Sequence, residues 1–540
     1  MGDDARSFWA WGLERKFPDE EARRGLAAQV SAVLGVGELS VRPLPSITDV
    51  GLTAPRFVPP PELANLGSSA TVDRVTHTYG KSYRDLVRGF ACDFSPAPDW
   101  VFYPADENEV AALLAFCSRE RIAAIPYGGG TSVVGGVEGG AAGTMEAYAG
   151  VACIDLRKMD RVVEVCAESR GARIQAGALG PSIEAQLAHH GFSMRHFPQS
   201  FEFSTLGGWI ATRAGGHFAT LYTHVDDLVE AMRMVTPAGI FATRCLPASG
   251  AGPSPDRMAM GSEGILGVLT EAWVRVQPRP RFRASASVHF ASFEDGVAAS
   301  RGLAQSGLFP SNCRLLDARE ALLHGVSDGA RAVLLVAFES ADHPLEPWMT
   351  RALAITASSR GTCTSGPTYA EGGEKMQAAG SDAASSWRQA FLDAPYLQSA
   401  LVSLGVVVDT FETACTWDRF PALHRAVKSA VIETMKRVCG TGVITCRFTH
   451  VYPDGPAPYY TFIAPGRAGE ELAQWEAIKR AASDALIDNG ATITHHHAVG
   501  RLHRPWYDRE RPDTFALALR AAKSALDPAW ILNPGVLVDR

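Results

Sequence analysis

Three consecutive histidines, His495, His496 and His497, stand between Thr494 and the small-residue step Ala498-Val499-Gly500. Imidazole titrates near neutrality, so such a cluster can move protons at a reacting centre. In an extended segment His495 and His497 face one way and His496 the other. The first pair offers nitrogen ligands to a metal, yet no convergent carboxylate or cysteine is evident. Proton transfer is therefore favoured over a metal site or a surface polar turn. A second stretch offers different chemistry: Pro126, Tyr127, Gly128, Gly129, Gly130, Thr131 and Ser132, followed by Val-Val-Gly-Gly. Three glycines without Cβ let the backbone curl and aim its N–H groups at one point, and Thr131 and Ser132 add hydroxyl donors. The stretch suits a pyrophosphate. It is neither GxxxxGK[ST] nor a GxGxxG that opens a helix. Gly80-Lys81-Ser82 resembles the end of the former, but Val75 occupies the position of its first glycine.

Two further segments could bring backbone close to a flat ligand. One runs through Gln199, Ser200, Phe201, Glu202, Phe203, Ser204 and Thr205 and on to Thr212, Arg213, Ala214 and Gly215. Its small residues equally fit a close-packed loop without a ligand. The other is Glu263, Gly264, Ile265, Leu266, Gly267, Val268 and Leu269. Ser262-Glu263-Gly264 reads as a turn and Ile265 to Leu269 as a buried strand able to pair with a planar ring. An ordinary hairpin is the alternative.

The elements that must hold these segments follow from periodicity. Asn108 to Arg121 reads as a helix with Val110, Leu113, Leu114 and Cys117 on one face. Val162 to Val165 and Ile174 to Ala178 read as a hairpin around Glu168–Gly171. Ser182 is expected to cap a helix over 183–190. Gln277-Pro-Arg-Pro280 closes this first body. Beyond it a strand (284–290), a helix (293–305) and a strand (332–338) begin a second one. The stretch 362–386, rich in Gly, Ser, Ala and Thr, is expected to be a mobile loop. A final helix, Asp513 to Leu526, stops at Asp527-Pro528, and Ile531 to Leu537 returns to the core. Residues 1–55 read as a helical lead-in docked by Trp9, Trp11 and Phe17, with a linker at Pro59–Pro61.

The composition narrows the function. A chain of 540 residues, 46% hydrophobic and 20% charged, is long enough for two or three domains. Its net charge of -7 and lack of a basic stripe argue against nucleic acid. Ten cysteines without a CxxC pair fit reduced thiols in a cytosolic protein. No apolar run reaches the ~18–20 residues of a membrane span, and the acidic N-terminus is unlike a signal peptide. The C-terminal Leu-Val-Asp-Arg is not a peroxisomal address. A cytoplasmic enzyme is expected.

The three loop segments, in this order across Trp100 to Pro280, resemble the FAD-binding domain of the vanillyl-alcohol-oxidase / p-cresol-methylhydroxylase superfamily. The resemblance implies an α+β fold: two α+β subdomains gripping FAD, then a cap with an antiparallel sheet over the flavin. The expected organisation is a helical lead-in and the start of the FAD domain over 1–95, a PCMH-type FAD domain over 96–280, a cap over 281–480 and a C-terminal segment over 481–540 that carries the histidines back to the flavin. The histidine run with Ile531–Leu537 resembles the alkyldihydroxyacetonephosphate synthase family. So do 77–86, 197–209, Cys313-Arg-Leu-Leu-Asp317, 411–419 and 446–460. The HxGDGN-type metal motif of the D-lactate and glycolate dehydrogenase branch is missing.

By this resemblance the segments 126–132, 199–205, 212–215 and 263–269 would touch noncovalent FAD. Tyr459 falls on a proton donor/acceptor tyrosine, His495, His496 and His497 on essential histidines, and Arg314 on an important arginine. Arg447 would add positive potential. The reaction implied is non-redox: flavin N5 attacks C1 of an acyl-dihydroxyacetone phosphate, the fatty acid leaves, and a long-chain alcohol replaces it. Two departures matter, Gln398 and the histidine that ends Ala211-Thr-Arg-Ala-Gly-Gly-His217, where the family loop has none. Where the family has a substrate-binding arginine after Tyr-Ile, this chain has Tyr396-Leu397-Gln398, and Gln398 brings no cation for a phosphate. Arg388, nearby in sequence, reads as a surface residue. The Gln398 departure keeps open an FAD oxidase or dehydrogenase of an alcohol or 2-hydroxy acid. His217 lies in a different loop from the histidine that carries covalent flavin in relatives. The expected partners are a small or lipid-like substrate, with no metal; peripheral membrane contact and a homodimer are compatible with the sequence.

Overall fold

The structure, a computed structural model, describes residues 5–140, 145–372 and 394–540. Arg388 and the part of the expected mobile loop beyond residue 372 lie outside them. The described part of that loop includes an edge strand, Thr368–Glu371, paired with Phe282–Phe290.

The first subdomain is a four-stranded sheet. Ile122–Tyr127, Gly150–Asp155 and Trp100–Phe102 run parallel, and Gly67–Ser68 pairs antiparallel at the edge. Its central strands are near-continuous apolar runs because helices cover them. The expected helix is present as Glu107–Glu120, with Asp106 capping Asn108 and Glu109, and its four predicted apolar residues are buried. The second subdomain is a five-stranded antiparallel sheet containing the predicted hairpin as Val162–Cys166 and Gly171–Gln175. The helix after it spans Gly180–Ala188. Ser182 lies inside this helix rather than capping it, because Pro181 sets the first turn, and its hydroxyl accepts from Gln186 Nε2 (2.9 Å).

The cap carries a seven-stranded sheet. Across it lie Thr368–Glu371, Phe282–Phe290, Ala332–Ser340, Asn312–Leu316, Val443–Val451, Pro456–Pro465 and Val406–Glu412, every neighbour antiparallel. Alternation puts one side-chain set toward the FAD domain and the other under the helices Phe293–Ala304, Phe420–Cys439 and Glu471–Asp488. The lead-in packs onto the body through its tryptophans: buried Trp9 meets the Phe90 ring edge-on (5.0 Å), and the Trp11 backbone N–H donates to Ser399 Oγ (3.0 Å). The C-terminal segment crosses back to the first subdomain. Asn533 N–H and the Ile531 carbonyl bracket Ala124 (2.9 and 2.8 Å), so the tail extends the parallel sheet.

Candidate active site

One cavity of about 350 Å³ lies between the FAD-type loops and the cap sheet. The loop after Ile122–Tyr127 forms one wall, with Tyr127, Gly128, Gly129, Gly130 and Thr131 all lining it. The glycines are required by packing against the next loop. A Cβ on Gly129 would stand 1.7 Å from the Phe203 carbonyl oxygen, and one on Gly128 2.2 Å from Thr205 Oγ1. Ser132 Oγ accepts from Gly136 N–H (2.9 Å) and Val134 N–H (3.4 Å), so it shapes the loop in addition to lining the cavity.

The second segment divides. Gln199, Ser200, Ser204, Thr205, Thr212, Ala214 and Gly215 line the cavity. Phe201, Glu202 and Phe203 face a smaller neighbouring cavity under Trp11, Lys16 and Tyr396. The Arg213 side chain turns outward to Asp226 (2.7 Å). In the third segment the expected strand starts only at Val268; Ile265 and Leu266 sit in the preceding turn and are buried in the core. Gly264, Gly267, Val268 and Leu269 line the cavity. Glu263 does too, but its carboxylate mainly ties elements together. It accepts from Val499 N–H (3.0 Å) and Gly500 N–H (2.8 Å), just past the histidines. Burial outweighs these bonds and raises its pKa to about 7.

The cap face supplies the reactive side chains. Strand register puts Leu316, Arg447, Tyr459 and Glu412 in one row across four strands. Arg447 and Tyr459 line the cavity, the guanidinium carbon 3.9 Å from the phenol ring centroid. Arg447 also pairs with buried Glu320. Tyr459 donates to Thr410 Oγ1 (2.9 Å). Burial raises the Tyr459 pKa and the Arg447 charge opposes the rise. Arg314 lines the same face, 1% exposed, with Nη1 3.5 Å from His217 Nδ1. Its desolvation, reinforced by Arg447, lowers its pKa to about 9.

The histidine run is bent rather than extended. The Glu412 carboxylate accepts from the backbone N–H groups of His495 (2.6 Å), His496 (3.2 Å) and His497 (3.0 Å), and from Thr494 Oγ1 (2.5 Å). Burial opposes its ionisation, but His496, His497 and His495 outweigh burial and hold its pKa well below the usual carboxylate range. The curl brings His495 Nδ1 to 3.1 Å from His496 Nδ1. His496 and His497 line the cavity, their rings 6.1 and 5.5 Å from that of Tyr459, while His495 stands behind. Desolvation lowers the pKa of all three.

His450 escaped the sequence reading. A register shift between Phe448 and His450 breaks the alternation, so Thr449 and His450 both line the cavity. Its Nε2 donates to the Gly216 carbonyl (3.0 Å), and one nitrogen each of His450, His495 and His496 lies within 4.8 Å of the others. Glu412, His450 and Tyr452 lie in the 411–419 and 446–460 stretches, which was the available signal.

Comparison with known proteins decides the family. Residues 98–243 match the FAD binding domain model, and residues 279–537 match the model of the FAD linked oxidases, C-terminal domain. The alkyldihydroxyacetonephosphate synthase of Trypanosoma brucei brucei is 30% identical over 529 residues, covering 93% of this chain and 85% of that protein. The chain belongs to the alkyldihydroxyacetonephosphate synthase family. A solved alkyldihydroxyacetonephosphate synthase structure superposes with a TM-score of 0.80 at 25% identity, covering 98% of both chains. The fold of p-cresol methylhydroxylase is shared at 15% identity, with a TM-score of 0.64 over 88% of this chain and 95% of that one. The chain is an FAD enzyme. The residues present fit the cofactor: backbone-rich loops too close for a Cβ frame one end of the cavity, and proton-handling side chains the other. No helix among the described residues is long and apolar enough to cross a membrane.

Proposed function

We propose that this enzyme exchanges the acyl group of an acyl-dihydroxyacetone phosphate for a long-chain alcohol, forming an ether lipid precursor. The observation that carries the reading is the meeting of Tyr459, His496, His497, Arg314 and Arg447 on the cavity framed by the FAD loops. Bound FAD supplies a nucleophilic N5 without net electron transfer. The protein supplies the rest. Arg314 and Arg447 place positive charge where a phosphate and a departing carboxylate need it, in a site that excludes most water. Tyr459 and His496 hold or take the hydroxyl proton of the alcohol. Leu397, Leu401, Val408 and Ile463 line the same cavity and suit an alkyl chain. The chemistry of this substrate favours uptake from a lipid surface.

Gln398 favours the oxidoreductase reading only if it strips the cavity of positive charge. Arg314 and Arg447 remain in the lining, Arg447 shared with Glu320, which supports the exchange. The test incubates the holoenzyme anaerobically with acyl-dihydroxyacetone phosphate and isotope-labelled hexadecanol. Label in an ether product, with no dye reduced, is the expected result. Flavin bleaching by a 2-hydroxy acid, with no ether formed, would replace it.

A further inference from the structure

The exchange breaks an ester C1–O bond, forms an ether C1–O bond and leaves a fatty carboxylate, so the alcohol's proton must end in solvent. The cavity that generates this proton is buried between two domains. We propose that His496, His495 and Tyr452 form a proton wire from the flavin cavity to the outer end of the cap sheet, an inference that rests on the exchange reading above.

The contacts are continuous. His496 lines the cavity. Its Nδ1 lies 3.1 Å from His495 Nδ1, whose ring places Nε2 2.7 Å from the Tyr452 hydroxyl. Tyr452 donates to Thr223 Oγ1 at 3.1 Å. Tyr452 is half-buried beside exposed Pro453 and Asp454, and Thr223, itself only 4% exposed, directly follows exposed Leu221 and Tyr222, so the chain ends one residue beneath the surface. One assignment of protons satisfies every link. His496 Nδ1–H donates to His495 Nδ1, His495 Nε2–H donates to the Tyr452 oxygen, and Tyr452 O–H donates to Thr223. Glu412 Oε2, 3.5 Å from His496 Nδ1, favours the proton on that nitrogen. The lone pair of His496 is then on Nε2, where a general base needs it.

A proton taken by Nε2 moves each following proton one step outward, and no ring need stay charged. That suits imidazoles whose burial disfavours the charged form. The shift leaves the wire polarised inward. At the start of the next turnover, departure of the acyl group draws one proton in to the nascent carboxylate, which resets the wire; the fatty acid carries that proton out and ionises in solvent. Over a cycle one proton leaves, as the balance requires. Tyr452 touches neither substrate nor flavin and acts through the histidines.

The test is Tyr452→Phe, which removes one oxygen and keeps the ring. FAD content should match wild type, turnover should fall about 10²-fold, the low end for a positioned acid–base group, and the solvent deuterium isotope effect should rise. Ring-nitrogen NMR of ¹⁵N-histidine holoenzyme should show His496 protonated at Nδ1 and His495 at Nε2, with both signals shifting in Tyr452→Phe. Unchanged turnover and isotope effect, or His496 and His495 signals indifferent to the substitution, would overturn the wire. So would one equivalent of Zn²⁺ retained on His450, His495 and His496 after gel filtration, because the metal would occupy the lone pairs. If wild type forms no ether, the exchange reading falls, while the nitrogen signals still decide the wire.

Discussion

The two walls of the cavity are built on opposite principles. The FAD-loop wall is mostly backbone and small side chains, and its lining residues fall in short local stretches: all of 126–132, and most of 204–208 and 263–269. The cap wall is side-chain chemistry gathered from distant strands. Arg314, Glu412, Arg447 and Tyr459 come from four strands, and the histidines from a fifth segment. A wall made of backbone tolerates little added volume, because each contact is close. A wall made of side chains tolerates shape changes but depends on protonation state.

The largest expected effect breaks the backbone wall. In Gly129→Val a branched side chain would drive into the Phe203 carbonyl, 1.7 Å from where its Cβ must lie. The two loops must part, and overpacking of this kind has no flexible neighbour to absorb it. The purified variant should contain no flavin by absorbance, whereas wild-type protein should release all its yellow colour on acid precipitation. Stoichiometric flavin in a folded Gly129→Val protein would show that this contact does not shape the site.

The side-chain wall should break differently. Tyr459→Phe and His496→Ala should each slow ether formation by ~10²–10⁴ while flavin content stays near wild type. Steady-state rates with flavin quantified in the same samples decide this. Loss of flavin with loss of rate would make either residue a packing element of the FAD site instead.

The same contrast explains what could be read in the sequence. The Gly-rich loops, the helix at Glu107–Glu120 and the hairpin before Gly180 are local signals; the helix stands where its spacing put it, while the second hairpin strand, Gly171–Gln175, starts three residues ahead of the expected Ile174. Glu412 lies 83 residues from His495, and only folding shows that its carboxylate gathers three backbone N–H groups and bends the run. Glu263 likewise meets Val499 across 236 residues, a tie that no local pattern announces. His450 faces the cavity through a strand irregularity, and period-2 reading puts it on the wrong side.

A third prediction concerns acid. His503 is 4% exposed, and burial lowers its pKa to about 4; His450, His495 and His497 are held well below their ordinary value by the same cause. The unfolded chain then binds more protons than the native one below about pH 6.5, so stability falls as pH falls through that range. His503 alone should cost about 2 kcal/mol at pH 5. Glu263 has the opposite sign: its raised pKa stabilises the fold below about 4.5, and that contribution is lost as pH rises through about 7. Burial also raises Asp85, to about 6, and Glu184 and Asp317, but the buried histidines are more numerous and outweigh these carboxyls. Urea midpoints should therefore drop from pH 7.5 to pH 5, and His503→Gln should flatten the slope. A midpoint that rises on acidification would show the raised carboxyls dominating.

The smallest effect is expected where the sequence departs from its family. Gln398 lines the cavity, its Nε2 3.4 Å from the Val408 carbonyl and 3.5 Å from Asp409 Oδ1. An arginine there would not be a lone charge beside the flavin, because Asp409 is within reach. Asp409 already accepts from Trp475 Nε1 (2.7 Å) and lies 3.4 Å from Lys479 Nζ, so a new cation would compete for a shared carboxylate. Part of its charge would be spent on Asp409 and part would reach a substrate phosphate. Arg314 and Arg447 already supply positive potential to the same cavity. Gln398→Arg should therefore tighten acyl-dihydroxyacetone phosphate binding by only a few-fold, under the ~1.4 kcal/mol that a tenfold change represents, and leave an uncharged alcohol unaffected. Titration of both variants with the phosphate, a 2-hydroxy acid and an uncharged alcohol separates the cases. Equal affinity for the phosphate in both would mean that position 398 does not choose the substrate. A hundredfold gain would mean that the two buried arginines serve the departing carboxylate and that this chain binds its phosphate poorly without a third cation.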